Sequence, residues 1–206
     1  MKEKVSVPFM LLGILFNVCL IAANLLETKV IQVGSLTVTA GLLVFPISYI
    51  INDCIAEVWG FKKARLIIWS GFAMNFFVVA LGLIAVAIPA APFWEGEEHF
   101  NFVFGMAPRI VAASLMAFLV GSARAIWSTV VGETADSLIF FPVAFGGVIA
   151  WKELLIMMGI QIVLKSMYEV IILPVTIRVV KAIKKIDGSD VYDTDISYNV
   201  LKVKDI

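Results

Sequence analysis

The sequence predicts an all-α integral membrane bundle of six transmembrane helices with both termini cytoplasmic. Three observations carry this. Of 206 residues, 61% are hydrophobic and 16% charged, against about 45–50% and about 25% in soluble domains. The apolar residues gather into runs matched to a hydrocarbon core of roughly 30 Å. The basic residues, finally, crowd into alternate connections. Sixteen Lys and Arg balance sixteen Asp and Glu, so no basic field exists to hold nucleic acid. The one histidine, His99, excludes two-histidine zinc motifs, and the sequence has no Walker A loop, GxSxG elbow or CxxC pair. Neither cofactor nor metal nor enzyme chemistry is expected, and Cys19 and Cys54 read as packing residues inside apolar runs.

The elements follow in order. The run 5–26 holds 22 residues, enough at about 1.5 Å each to span the core. It is too long for a secretory signal, and no small-residue cleavage site follows it. Lys29, Gln32, Gly34, Ser35 and Thr37 then interrupt the apolar pattern, which predicts an outer connection with a short hairpin of 30–33 and 36–38. Helix 2 covers 40–59. Gly60-Phe61-Lys62-Lys63-Ala64-Arg65 reads as a basic turn, and helix 3 covers 66–88 before Pro89 stops it. Residues 92–106 carry Trp94, Glu95, Glu97, Glu98, His99 and four phenylalanines, the mixture of an interfacial loop or a helix lying at the headgroups.

Helix 4 covers 108–125, helix 5 covers 128–148, and helix 6 covers 153–179 with Pro174 as a kink. The polar tail 181–206 is cytosolic. The stretch 109–122 has 14 residues, about 21 Å and short of a span. We therefore expect that a loop near 122–124 is absent from this sequence rather than deleted from the protein. With the N-terminus inside, twelve basic residues fall on the inner side and three, Lys29, Arg109 and Lys152, on the outer side. This is a positive-inside pattern. Two groups of three helices would have opposite topology, so 3+3 inverted halves are geometrically open, although no sequence repeat supports them.

Charged side chains at the bilayer centre cost about 2.5–3.5 kcal/mol, so they face a cavity or a partner. Asp53 and Glu57, Glu133 and Asp136, and Lys165 and Glu169 qualify, each pair on one helical face. One polar chamber near the midplane, lined by helices 1, 2, 5 and 6, is the convergent reading. The alternative is structural, with Lys165 and Glu169 paired within their helix. Glu27, Glu57 and Glu133 lie near helix ends, where a cap or an interfacial anchor is the competing role. Trp59, Trp94, Trp127 and Trp151 read as belt anchors. Phe45-Pro46 and Phe141-Pro142 mark sites of bending in helices 2 and 5.

Several polar motifs resemble one family. They are Asn24-Leu25-Leu26-Glu27-Thr28-Lys29, Thr39-Ala40-Gly41, Phe45-Pro46-Ile47-Ser48-Tyr49, Asn52-Asp53 and Glu57-Val58-Trp59-Gly60-Phe61-Lys62-Lys63-Ala64-Arg65 in the first half. The second half adds Arg109, Ala113-Ser114, Ala117-Phe118, Ser128-Thr129, Gly132-Glu133, Asp136-Ser137, Phe145-Gly146, Lys165, Tyr168-Glu169 and Pro174. Together they resemble the queuosine precursor transporter family, the YhhQ-type vitamin uptake transporters, over most of the six helices. The chain departs from it after Gly121, where members carry a longer basic cytoplasmic loop.

The resemblance implies uptake of 7-cyano-7-deazaguanine or 7-aminomethyl-7-deazaguanine across a cell (inner) membrane, for queuosine in transfer RNA. A guanine-like edge offers two parallel donors that a carboxylate accepts bidentately, while its O6 takes a donor. Asp53, Asp136 or Glu169 would supply the first contact and Lys165 or Asn24 the second. Phe141, Phe145 or Tyr168 would stack on the ring, and Glu133 completes the candidate set. The implied partners are the bilayer, the deazapurine and, as an open arrangement, a second copy in a homodimer. Secondary or facilitated transport is favoured. The competing reading is the substrate-binding subunit of an energy-coupling-factor importer for a vitamin or nucleobase-like ligand, which would need an ATPase partner.

Overall fold

The computed structural model describes residues 5–122, 129–189 and 191. In chain order the elements are α1 (Val7–Leu26), the strands β1 (Val30–Val33) and β2 (Leu36–Thr39), a 3-10 turn at Ala40–Leu43, α2 (Phe45–Trp59), α3 (Phe61–Ala87), α4 (Glu97–Ser122), α5 (Thr129–Phe145) and α6 (Trp151–Asp187). Four of the helices, α1, α3, α4 and α6, are long and apolar enough to cross a membrane. The other two, α2 and α5, have 15 and 17 residues.

Local sequence sets each boundary. Ser6 accepts the Phe9 N–H at 3.4 Å and caps α1, the usual work of a serine at this position. The hairpin pairs Val30 with Thr39 and Val33 with Leu36, and Gly34 supplies the positive φ of 62° that its two-residue turn needs. Val38 and Thr39 are buried, so the hairpin's second strand is tucked into the bundle rather than lying out over it.

Several boundaries differ from the sequence expectation, each for a local reason. Helix 2 begins at Phe45 rather than at 40, after the 3-10 turn, and Pro46 sits in its first turn. A missing N–H is harmless there, so Pro46 starts a helix instead of bending one. The basic stretch after Gly60 is not a turn: α3 begins at Phe61 and Gly60 alone, at φ 84°, separates it from α2. The Arg65 side chain is consequently buried. Helix α4 starts at Glu97, well before Pro108, which it carries in its interior. Glu97 and Glu98 lie in its first turn and complement the positive end of the helix dipole.

At 26 residues, about 39 Å, α4 is no longer short of a span, and the shortfall that suggested a missing loop disappears. The region of that loop, with Arg124 and Trp127, lies outside the described residues. Helix α5 stops at Phe145 rather than at 148, where Gly146 and Gly147, the latter at φ 78°, turn the chain. Helix α6 runs through Pro174 to Asp187, taking in the first residues of the expected tail, and Gly188 at φ 70° ends it.

The helices form a ring in which α1 meets α2, α2 meets α6, α6 meets α5, α5 meets α4, α4 meets α3, and α3 returns to α1. Two large apolar cores sit within it, beside a small cluster of Val79, Ala107 and Val111. One, with Phe16, Cys54 and Val58, joins α1, α2 and α3 to the end of α6. The other, with Ile110, Phe141 and Met157, joins α4, α5 and α6. The outer faces stay apolar: Leu11, Phe77 and Val170 are exposed, as a multi-pass membrane protein requires of its lipid-facing side.

Two polar fastenings close the ring. Arg109 of α4 donates from its guanidinium to the carbonyls of Val143 and Gly146, capping the C-terminal end of α5. Trp59 is not a belt anchor. It is buried, lies edge-on to Phe9 at 5.3 Å, and donates its indole N–H to Asp187 at 2.7 Å. Beside it Lys184 pairs with Glu57 at 3.0 Å and the Val191 N–H reaches the Val58 carbonyl at 3.3 Å. These contacts fasten the end of α2 to the end of α6.

Candidate functional site

Between the two apolar cores lies a cavity of about 240 Å³ to which all six helices contribute. That is below the about 300–1,000 Å³ of sites for drug-sized ligands, and it suits one small ring system. Three of its lining residues, Glu27, Asp136 and Lys165, are charged. Lys165 of α6 is buried, and its Nζ lies 3.5 Å from Asp136 Oδ2 of α5 and 4.0 Å from the centroid of the Phe45 ring. A cation held between a carboxylate and an aromatic face is doubly stabilised where water is scarce. Asn24 of α1 is buried and donates its amide to Asn75 Oδ1 of α3 at 3.2 Å. Glu27, just past the end of α1, is buried and also faces the cavity. Phe45, Phe72, Phe118 and Phe140 supply flat apolar walls.

The predicted residues divide among several environments. Asn24, Asp136 and Lys165 come together here as expected, although the partner of Lys165 is Asp136 across the helix interface rather than Glu169 in its own helix. Tyr168 and Glu169 line only a small crevice of about 10 Å³ between α2 and α6, which Lys165 also borders. Asp53 is not in the central cavity. It is exposed to a second cavity of about 510 Å³, formed by the ends of α2 and α6 with Glu57, Thr176, Lys181 and Lys184. Phe141 and Phe145 are packed in the apolar core of α4, α5 and α6, whereas the neighbouring Phe140 reaches the cavity wall. Glu133 lies on α5 by its backbone, and its side chain is outside the described residues.

Two features escaped the sequence. Glu27 reads from its position as a helix-end cap, and its backbone N–H does bond the Ala23 carbonyl at 2.9 Å, yet its carboxyl turns into the chamber. The signal available was the neighbouring Thr39-Ala40-Gly41, whose glycine leaves the space that the carboxyl fills. The contribution of α3 and α4, through Phe72, Ser114 and Phe118, carried no charge by which to notice it.

Residues 39–123 and 122–179 match the profile of the family described as "Putative vitamin uptake transporter". A Bacillus subtilis (strain 168) protein named "Probable queuosine precursor transporter" is 26% identical over 149 residues, which cover 62% of this chain and 65% of that protein, a little under two thirds of its length. No solved structure matches.

Proposed function

Because this chain belongs to the vitamin uptake transporter family, we propose that it imports a queuosine precursor, 7-cyano-7-deazaguanine or 7-aminomethyl-7-deazaguanine, through the central cavity. The observation that carries this reading is the central cavity in which the Lys165–Asp136 pair meets aromatic walls. The pair gives Lys165 a fixed direction, so its ammonium donates to a ring carbonyl such as O6, with the Asn24 amide beside it. The phenylalanine faces stack on the ring. The relative named for queuosine precursor transport supports the same class. Transport is secondary or facilitated, with the six helices spanning a cell (inner) membrane and both termini cytoplasmic.

Uptake of labelled 7-deazaguanine by the purified chain in liposomes, without ATP or another protein, tests the function. Excess adenine, which lacks the guanine donor pattern, should leave that uptake intact. Asp136→Asn should lower it by about tenfold or more, since losing a charged partner for Lys165 costs about 1–3 kcal/mol. Adenine competing as well as the deazaguanine would remove the assigned substrate.

The orientation is checked by labelling single cysteines from outside. Gln32 and Glu97 are exposed at one end of the bundle and Lys62 and Lys185 at the other, while the native Cys19 and Cys54 are buried. Cysteine at Gln32 or Glu97 should label in intact cells, and at Lys62 or Lys185 only after lysis. External labelling at Lys62 would reverse the topology.

A further inference from the structure

We propose that Glu27 selects the substrate, its carboxylate accepting the paired N–H donors on the edge of a guanine-like ring in the central cavity. This rests on the reading of the chain as a deazaguanine importer and adds to it the group that reads the ring.

The polar side chains of the cavity are not equivalent. Asp136 is engaged by Lys165, and Asn24 is engaged by Asn75. Glu27 differs: it is 9% exposed, and its Oε2 has no hydrogen-bond partner among the described residues. A buried carboxylate oxygen without a donor is costly, and a side chain kept in that state at the wall of a cavity is suited to a ligand that brings the donor.

The surroundings fix where that carboxylate points. Gln161 of α6, itself buried, grips Thr39 at two points. Its Oε1 accepts the Thr39 backbone N–H at 3.3 Å and its Nε2–H donates to the Thr39 hydroxyl oxygen at 2.9 Å. The Thr39 hydroxyl donates in turn to Gln161 Oε1 at 3.2 Å and lies close enough to the Glu27 carboxyl to interact with it, so its one proton is shared between two acceptors. On the opposite side Gly41 packs directly against the Glu27 side chain, and a Cβ there would collide with its carboxyl. Thr39 and Gln161 are therefore positioning residues, and Gly41 is the space they need.

The chemistry of the opposite wall fits the same ligand. Glu27 is acceptor-only when ionised and Lys165 is donor-only. A ring presenting N1–H and an exocyclic amine to Glu27, and a carbonyl to Lys165, matches both. Adenine matches neither, and a hypoxanthine-type ring loses one of the two donors for Glu27.

Competition for uptake by 7-deazaguanine and by 7-deazahypoxanthine, the same ring without the exocyclic amine, separates this role from a structural one. The unaltered protein should prefer 7-deazaguanine by about tenfold or more. In Glu27→Gln an amide donor faces the exocyclic amine, so the preference should collapse to within about threefold or invert. Thr39→Val keeps Glu27 but removes the proton that directs it, and should reduce the preference in the same sense by a smaller factor. It also serves if Glu27→Gln does not fold. A preference unchanged in whichever of the two variants folds overturns the role of Glu27 while leaving the transport reading intact. Failure of the unaltered protein to take up either ring overturns the transport reading itself.

Discussion

Lys165→Met should abolish measurable deazaguanine uptake, with a loss of about 30-fold to more than 1,000-fold. Methionine keeps an unbranched stem of similar length and removes only the charge. Asp136, 3.5 Å away, then stays in the chamber without its cation, and Glu27 shares the same walls. Truncating one member of a buried charge pair costs about 2–5 kcal/mol, and each 1.4 kcal/mol is about tenfold in affinity. The cation also leaves the face of Phe45. Thermal unfolding measured on the same preparations should show a destabilised protein. Adding Asp136→Asn should recover stability, because no unpaired charge remains at that helix interface, but should not recover uptake. Transport within about threefold of the unaltered protein would place the pair outside the substrate route.

The second large effect is on stability. Arg109→Ala should destabilise the fold by about 2–4 kcal/mol and lower the thermal midpoint more than any single substitution on the lipid-facing surface. The guanidinium serves the carbonyls of Val143 and Gly146 at the end of α5. Each part-buried acceptor left bare costs up to about 1–3 kcal/mol, and one guanidinium serves both. Arg109→Lys should recover only part of the loss, because one ammonium does not reproduce the planar fork that spans two carbonyls. The measurement is detergent-phase unfolding of the three proteins side by side. An alanine variant as stable as the parent would show that the α5 terminus has another source of satisfaction.

The sequence made the helical membrane class legible because the bilayer demands long apolar runs and punishes charge within them. For the same reason Lys165 and Asp136 stood out, and they do meet in one cavity, together with Asn24, which only the family resemblance marked. The hairpin was visible from Gly34 and its alternating neighbours. What failed did so where local signals point two ways. Pro108 ordinarily starts a helix, yet α4 continues through it because the acidic turn at Glu97 and Glu98 lies upstream. Lys62, Lys63 and Arg65 look like a solvated loop, but one glycine suffices to turn the chain.

The site residues divide along a similar line. Spacing shows which charges share a helix face, not which neighbouring helix that face meets. Asp53 thus falls to the cavity between the ends of α2 and α6 while Asn52, its neighbour in sequence, lines the central one. Two adjacent phenylalanines, Phe140 and Phe141, share one apolar core, yet Phe140 also borders the chamber and Phe141 does not. Thr39 is held by Gln161, a residue far along the chain, and no local pattern encodes that.

The one-residue link at Gly60 limits how such a bundle can work mechanically. Consecutive Cα atoms are about 3.8 Å apart, so the adjoining ends of α2 and α3 can swing about Gly60 but cannot slip past one another by a helical turn of about 5.4 Å. Any elevator-like stroke that translates one helix along the membrane normal must therefore carry both. Longer joints at 88–96 and 146–150 have the slack for relative translation, so α2 and α3 would travel as a single hinged arm whose pivot stays at one face of the membrane.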